Sequence, residues 1–341
     1  MTAAPLLDVR DLRVTFATPR GAVRAVDGAG ITVDAGEVVG LVGESGSGKS
    51  VTLRAITRLL HGNAAVSGQV LWRGRDLLTL PEPALRAVRG REIAMVFQEP
   101  MAALNPVLTV GQQIDESLAA HGGLDGRARR ARALELLDLV GIAAGAQRLR
   151  SYPHEFSGGM RQRAMIAIAL APQPMLLLAD EPTTALDVTI QDQVLRLLLR
   201  LTGELGMGMV LVTHDLGVVA ETCSRVCVMY AGRVVEAGPV AALFARPRHA
   251  YTAALLRSMP GVGAGPARRP LVPIPGQPPR LDQAIPGCPF VPRCGFVEER
   301  CRTVAPPLAE VAPMHPASKH LASKHLAACW ASDRVAHEMA H

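Results

Sequence analysis

The sequence predicts an α/β fold built on a mostly parallel sheet, with a helical insertion and an irregular cysteine-containing extension at its C-terminal end. Two observations lead to this fold class. Short apolar, β-branched runs alternate along the chain with amphipathic helical patterns, as expected when helices connect parallel strands. A glycine-rich segment of the form G-x-x-x-x-G-K-[ST], Gly43 to Ser50, also falls between a predicted strand and a predicted helix.

The alternation can be followed along the chain from the glycine-rich segment. A buried strand at 38–42 precedes this segment, and a helix at 49–60 follows it. The later predicted elements are a strand at 93–97, a helix at 127–140, a helix at 162–170, a strand at 175–179, a helix at 190–205 and a strand at 209–213. Between about 100 and 171 the patterns are helical throughout, which predicts a helical subdomain inserted in the sheet.

Composition changes after the last predicted strand. Prolines and glycines dominate residues 260–292, and no periodicity lasts for more than a few residues there. The sequence therefore predicts one α/β domain over residues 1–245 and a separate extension over residues 246–341.

Size, charge and hydropathy exclude several classes of protein. The chain has 341 residues, 49% of them hydrophobic and 19% charged, which is a globular balance and not that of a disordered protein. Its net charge is +6, but aromatic residues make up only 3% of the chain, too few for a platform that stacks nucleic-acid bases. No uninterrupted apolar run reaches the length of a membrane span, and the N-terminus lacks a signal-peptide pattern. A location in the cytoplasm is expected.

The segment from Gly43 to Ser50 has the composition of a loop that binds phosphate groups. Its glycines let successive backbone N–H groups face one point, and the following helix adds the positive end of its dipole. Lys49 is the only lysine among the first 318 residues, in a chain that otherwise uses arginine, which indicates a need for a compact ammonium. Lys49 would neutralise the β- and γ-phosphates, and the Ser50 hydroxyl would bind Mg²⁺. The predicted phosphate-binding residues are Gly43, Ser45, Gly46, Gly48, Lys49 and Ser50.

Two adjacent carboxylates follow a second buried strand. The run at 175–179 leads directly into Asp180 and Glu181. Open α/β sheets bind ligands at the carboxyl ends of their strands, where both side chains are then expected. Asp180 would hold Mg²⁺ through water, and Glu181 would polarise the water that attacks the phosphate.

A further motif lies ahead of these carboxylates and reads Ser-Gly-Gly-Met-Arg-Gln-Arg from Ser157 to Arg163. It resembles the signature of ATP-binding cassette (ABC) ATPases, with Met160 in place of the usual glutamine. The order of the motifs along the chain is similar to that of the family over residues 6 to 245. The resemblance implies a nucleotide-binding domain with a phosphate loop and a helical subdomain, which binds ATP and Mg²⁺ and hydrolyses ATP.

The resemblance also implies roles for residues whose local sequence says little. Ser157, Gly158 and Gly159 would reach the γ-phosphate of ATP held by the other subunit of a dimer. Gln98 would touch Mg²⁺ and the attacking water, with the loop after it facing a membrane partner. The remaining implied residues are His214 as a switch at the γ-phosphate, Asp187 in a loop that crosses the dimer interface, and Phe16 against the adenine.

Four cysteines in the extension form a separate candidate site. Cys288, Cys294, Cys301 and Cys329 have the spacing C-x5-C-x6-C-x27-C, in a proline-rich region with little apolar material to hold it together. Thiolates suit zinc or an iron–sulfur cluster, and unligated or disulfide-forming thiols remain open as well. The segments 247–252, 274–276 and 286–294 resemble the C-terminal extension of dipeptide and oligopeptide importer ATPases, which favours a 4Fe–4S cluster.

The resemblance implies an importer subunit that powers the uptake of dipeptides and oligopeptides. It implies a second ABC ATPase as partner in a heterodimer, two transmembrane permease subunits, a periplasmic or lipid-anchored peptide-binding protein, and a peripheral position at the cytoplasmic face of the membrane. One alternative is the same transporter class carrying nickel, glutathione or another small solute. The other is a soluble ABC ATPase acting on nucleic acid or ribosomes, for which a second cassette or a long coiled-coil insertion would be expected and neither is seen in the sequence.

Overall fold

The computed structural model divides the chain into two compact units. The structure describes residues 4–19, 21–121, 123–184, 186–259, 272–311 and 324–339. Unit 1 consists of Met1–Leu6, Val33–Val38 and Trp72–Val212, and unit 2 consists of Leu7–Thr32, Val39–Leu71 and Thr213–His341. Each unit therefore combines segments that lie far apart in the sequence.

Strands and helices alternate over much of the chain. The strands are β1 (Leu7–Thr18), β2 (Gly21–Val33), β3 (Val38–Val42), β4 (Ala64–Trp72), β5 (Arg75–Asp76), β6 (Ile93–Val96), β7 (Leu176–Asp180), β8 (Gly208–Thr213), β9 (Arg225–Tyr230), β10 (Arg233–Pro239), β11 (Ala309–Glu310) and β12 (Leu326–Ala327). The helices are α1 (Lys49–Ile56), α2 (Glu82–Val88), α3 (Pro100–Ala103), α4 (Val110–His121), α5 (Gly126–Leu139), α6 (Gly145–Arg148), α7 (Gly158–Leu170), α8 (Val188–Leu205), α9 (Leu216–Thr222), α10 (Val240–Ala245), α11 (Ala250–Arg257), α12 (Arg300–Thr303) and α13 (Ser332–Met339).

The centre of unit 1 is the buried strand β7. It pairs in parallel with β6 on one side and with β8 on the other. All five residues of β7 are buried, because a strand covered on both faces needs a continuous apolar run such as its leucines. Asp180 ends this run opposite Val212 of β8, so the strand delivers a carboxylate to the carboxyl edge of the sheet.

Between residues 100 and 171, the described part of unit 1 consists of helices joined by loops. Helices α4, α5 and α7 pack against one another, and each contributes fully buried apolar side chains such as Ile114, Leu136 and Ile166. Helix α7 also packs against β6 and α8, which ties the helical part to the sheet of the same unit.

Unit 2 contains the strand that precedes the glycine-rich loop. Strand β9 pairs in parallel with β3 and antiparallel with β10. Strand β12 adds to β10 with Ala327 opposite Glu236, and β11 adds to β12 with Ala309 opposite Ala327. In a further sheet of this unit β1 lies between β2 and β4.

Three rings form the centre of the core between the sheet and the C-terminal part of unit 2. Tyr230 ends β9, Tyr251 lies in α11, and Phe290 precedes a short 3-10 turn. The ring centroid of Tyr230 is 4.5 Å from that of Tyr251 and 5.2 Å from that of Phe290, and all three residues are almost completely buried. Tilted and edge-to-face rings at such distances stabilise one another. Tyr230, Tyr251 and Phe290 therefore form an aromatic cluster.

The extension is more regular than the sequence predicts. Besides irregular chain it contains helices α11, α12 and α13 and the two-residue strands β11 and β12. Strands this short carry no readable periodicity, and they form here because β10 offers an edge to pair with. Within the described residues, no helix combines the length and the apolar character needed to cross a membrane.

Candidate functional site

The loop from Gly43 to Ser50 turns sharply between β3 and α1. Its bends lie at glycines with positive φ, 151° at Gly43, 76° at Gly46 and 103° at Gly48. A Cβ at Gly43 would lie 2.2 Å from the carbonyl oxygen of Met229, and a Cβ at Gly48 would lie 2.5 Å from that of Ala25. The loop therefore requires glycine for space as well as for backbone angle.

Lys49 is folded into this loop. Its Nζ donates to the carbonyl oxygens of Gly43 at 2.7 Å and Glu44 at 3.0 Å and lies 3.5 Å from Ser47 Oγ, and the residue is only 5% exposed. Lys49 is the first residue of α1, so its ammonium lies at the positive end of the helix dipole. The charge of the ammonium and the helix dipole both favour the binding of an anion at this loop. Ser50 follows in the same turn and is half-buried.

In unit 1 the structure brings Gln98 and Glu181 together. Gln98 Nε2 donates to Glu181 Oε2 at 3.1 Å, and Thr184 Oγ1 donates to the same oxygen at 2.8 Å. Glu181 has φ of 44°, an unusual angle for a residue with a side chain, at the point where the chain leaves β7. Such backbone angles are concentrated at functional sites, and two neutral donors hold the carboxylate in one orientation. Asp180 beside it is fully buried.

Sequence reasoning did not single out Thr184, although its position three residues after Glu181 is a usable signal. The amide of Thr184 donates to the carbonyl of Glu181 at 3.2 Å, which closes a turn and returns the hydroxyl to the carboxylate. A threonine at this spacing from an acid predicts such a contact only once the turn is known.

The predicted signature begins helix α7 of unit 1. Ser157 is the N-cap residue, and its Oγ accepts from the amide of Met160 at 3.4 Å. Gly158 is exposed. A Cβ at Gly159 would lie 2.7 Å from Cγ2 of Ile190, so the glycine at position 159 permits the close approach of α8. Asp187 caps α8, its Oδ1 accepting from the amide of Ile190 at 3.0 Å.

The other two predicted contacts of the nucleotide lie in unit 2, as does the glycine-rich loop. Phe16 is half-buried near the end of β1, and His214 is exposed directly after β8. The predicted residues thus fall into two sets, one in each unit.

An unpredicted network reaches the glycine-rich loop from the extension. The amide of Glu44 donates to the hydroxyl of Tyr251 at 2.8 Å. The Glu44 carboxylate accepts from both terminal nitrogens of Arg293, at 2.7 and 2.9 Å. Sequence reasoning missed Arg293 because one arginine among many carries no mark of its partner, although it lies inside the 286–294 segment that resembles the importer extension.

The four cysteines of the extension line one cavity of unit 2. Its wall contains Cys288, Cys294, Cys301 and Cys329 together with mostly apolar residues. Burial raises the pKa of Cys288 to about 11 and that of Cys329 to about 12, and burial also raises the pKa of Cys294. Burial therefore favours the neutral thiol form of Cys288, Cys294 and Cys329, since a buried charge is costly.

The positions of these thiols do not support the predicted metal site directly. Among the residues that the structure describes, no three histidine, cysteine, aspartate or glutamate side chains are grouped so that they could hold a metal ion. A single tetrahedral zinc ion needs such a group, so the zinc alternative has no support. A 4Fe–4S cluster is not supported by any such tight group of side chains either, among the described residues.

A parallel sheet with a glycine-rich loop at the end of a buried strand, and Lys49 inside that loop, defines a phosphate-loop nucleotide-binding protein. The family model described as ABC transporter matches residues 26–184, and the model described as oligopeptide/dipeptide transporter, C-terminal region, matches residues 235–301. The chain belongs to the ABC transporter family and carries the C-terminal region found in its oligopeptide/dipeptide transporters.

Relatives and solved structures agree with this assignment. The chain is 52% identical to a probable peptide ABC transporter ATP-binding protein, y4tR, of Sinorhizobium fredii, over 97% of this chain and 96% of that protein. It is also 52% identical to a Brucella melitensis protein named as a candidate peptide import ATP-binding protein, over 92% of this chain and 96% of the relative. The dimeric structure of MJ0796, a bacterial ABC transporter cassette, matches with a TM-score of 0.62 at 31% identity, covering 69% of this chain and 98% of that one.

These findings confirm the predicted family and the predicted α/β fold class of the nucleotide-binding domain. The limits of the two domains, 1–245 and 246–341, and the roles of the individual site residues stay predictions.

Proposed function

We propose that this chain is the ATP-hydrolysing subunit of an ABC importer that powers the uptake of dipeptides and oligopeptides. The observation that carries the enzymatic part is the contact of Gln98 and Thr184 with Glu181, a carboxylate oriented at the end of a buried strand. The cargo is supported by the match to the oligopeptide/dipeptide transporter C-terminal region and by the names of the full-length relatives.

The residues divide the work of phosphoryl transfer to water. Lys49 and the amides of its loop would bind the β- and γ-phosphates, and Phe16 would stack on the adenine. Ser50 and Gln98 would hold Mg²⁺, which when bound neutralises charge on the phosphates, and Asp180 would contact it through water. Glu181 would polarise the attacking water, and His214 would contact the γ-phosphate as a switch.

A second ATPase subunit completes the proposed site. Ser157, Gly158 and Gly159 would reach the γ-phosphate of ATP held by the partner, and Asp187 would cross the interface. The exposed backbone of Gly158 at the N-terminus of the 13-residue helix α7 is suited to an anion, and the similar cassette MJ0796 has a dimeric structure. We favour a heterodimer, in which closure around two ATP molecules drives the transport step and hydrolysis reopens the pair.

The proposed assembly places the chain at the cytoplasmic face of the cell membrane as a peripheral subunit. It would bind two transmembrane permease subunits and act with a periplasmic or lipid-anchored peptide-binding protein, and no nucleic acid takes part. The ATPase domain would end near residue 245, and residues 246–341 would form the extension that marks the importer branch.

ATP-driven uptake tests this proposal. In vesicles that contain the chain with its co-purifying permeases and second ATPase, we expect labelled di- and oligopeptides to accumulate only when ATP is supplied. Nickel and glutathione serve as competing cargoes in the same vesicles. Accumulation of nickel or glutathione but not of peptide would contradict the proposed peptide cargo. Co-purification with RNA instead of permeases would contradict the proposed role in transport.

We also propose that Cys288, Cys294, Cys301 and Cys329 hold a 4Fe–4S cluster with a structural role, since ATP hydrolysis needs no electron transfer. The support is that all four thiols line one mostly apolar cavity. Each iron of such a cluster takes its own thiolate, so the ligands need not converge on one point as they do for a single ion. The raised pKa values of the free thiols mean that binding a cluster would release protons.

Metal analysis of anaerobically purified protein tests the cluster. We expect about four iron and four sulfide ions per chain, and their loss in a Cys301→Ser variant. The control is Cys223→Ser, which changes a half-buried cysteine outside the cavity and should keep its iron. Zinc alone, or no metal in the unchanged chain, would end the cluster proposal.

A further inference from the structure

Glu44 is a negative charge inside a loop proposed to bind a polyanion. Its side chain is 27% exposed, and it directly follows Gly43, whose carbonyl oxygen accepts from Lys49. A carboxylate at this position repels phosphate unless a cation compensates it, because both charges are only partly screened by water. The phosphate chemistry of the loop therefore depends on how Glu44 is neutralised.

Arg293 supplies that compensation from the cysteine-bearing extension. Its guanidinium makes a two-pronged contact with the Glu44 carboxylate, at 2.7 and 2.9 Å, and its side chain is only 3% exposed. Such forked contacts set both charge and direction. The third nitrogen, Nε, donates to the carbonyl of Pro275 at 2.8 Å, so the guanidinium is fixed on both sides.

The aromatic cluster holds Arg293 and the loop in one block. The guanidinium carbon lies 5.8 Å from the ring centroid of Tyr230 and 5.9 Å from that of Phe290, within the range of cation–π attraction. The hydroxyl of Tyr251 accepts from the amide of Glu44. Two groups of the extension thus contact the same loop residue, one through its side chain and one through its backbone.

The same segment carries two of the four cavity cysteines. Arg293 ends the 3-10 turn Val291–Arg293 and is followed by Cys294, and the amide of Val291 donates to the carbonyl of Cys288 at 3.2 Å. The amide of Arg293 donates to the carbonyl of Phe290 at 2.9 Å, and Phe290 lines the cysteine cavity. The position of the Arg293 side chain therefore depends on residues 288–294 keeping their fold.

We propose that Arg293 is a positioning residue of the nucleotide site, which neutralises and orients Glu44 so that the glycine-rich loop accepts a triphosphate. This makes the extension part of the ATP site and not only a marker of the importer branch. The inference rests on the proposed ATPase function, and it concerns differences in affinity between variants of a chain that binds ATP.

A double-mutant cycle on the full-length chain tests this role with fluorescent ATP as the probe. Arg293→Met should raise the Kd for ATP about tenfold, because it leaves Glu44 uncompensated. Glu44→Gln alone should not weaken ATP binding, because it removes the carboxylate that repels phosphate, and adding it to Arg293→Met should restore affinity to within about threefold of the unchanged chain. In the assembled transporter, Arg293→Met should raise the KM for ATP and leave kcat at saturating ATP unchanged, as expected for lost ground-state binding.

Arg280→Met is the matched control. Arg280 lies in the same unit, is 69% exposed and contacts Asp282 and not the loop, so its loss should leave the Kd unchanged. Circular dichroism reports whether each variant folds. If Arg293→Met does not fold, Arg293→Lys replaces it in the cycle. Arg293→Lys alone should raise the Kd for ATP about threefold over the unchanged chain, and in the Glu44→Gln background it should leave the Kd unchanged.

Two results would overturn the inference. One is an ATP affinity in folded Arg293→Met equal to that of the unchanged chain. The other is an equal loss in the presence and absence of Glu44→Gln, because a purely structural role would not depend on the charge of Glu44. Failure of the unchanged chain to bind ATP would instead refute the proposed function, so the two failures are distinguishable.

Discussion

Replacing Glu181 by Gln is expected to lower steady-state ATP hydrolysis at least about 100-fold while ATP binding persists. The Oε2 atom that accepts from Gln98 and Thr184 belongs to a carboxylate, and an amide of the same shape cannot take a proton from water. The substitution removes a negative charge and leaves the glycine-rich loop unchanged, so it should not weaken the proposed attraction of the loop for ATP. The variant should therefore hold ATP without turning it over.

Phosphate release in the assembled transporter and equilibrium binding of a fluorescent ATP analogue measure the two quantities separately. The control is Glu204→Gln, which removes an exposed carboxylate from helix α8 of the same unit and should leave both quantities unchanged. Steady-state hydrolysis by Glu181→Gln at the rate of the unchanged chain would remove Glu181 as the residue that activates water.

Replacing Lys49 by Ala is expected to weaken ATP binding by about 10- to 100-fold, the usual range for losing hydrogen bonds between charged groups. The ammonium is 5% exposed and contacts oxygens of Gly43, Glu44 and Ser47. Alanine removes the positive charge from the loop and leaves these acceptors without that donor. Hydrolysis should fall with binding, because the same charge is proposed to stabilise the transition state.

Equilibrium binding of the same ATP analogue checks this prediction. Lys324→Ala is the control, since Lys324 is a second lysine that the structure describes and its ammonium pairs with Glu310 on the surface. Lys49→Arg should also bind weakly, because a planar fork does not fit the three oxygens that surround a compact ammonium. Wild-type affinity in Lys49→Ala would contradict the assignment of the loop to phosphate binding.

Element positions followed closely from local patterns, whereas element ends did not. The strand at 38–42 is found where predicted, and helix α8 begins two residues before the predicted 190. Helix α1 ends at Ile56, four residues before the predicted end, because an apolar pattern alone does not mark where a helix stops. Strands β1, β2 and β4 were largely missed, since exposed charged and glycine residues interrupt their alternation.

The sequence by itself determined the phosphate loop, the carboxylates after β7 and the family, because these depend on residues a few positions apart in one segment. Only the tertiary structure decided which side chains from distant parts of the sequence form hydrogen bonds with those segments. Gln98 reaches Glu181 across 83 positions, and Arg293 reaches Glu44 across 249. A charged side chain leaves no periodic trace of its partner, so such pairs become visible only when packing has brought the two segments together.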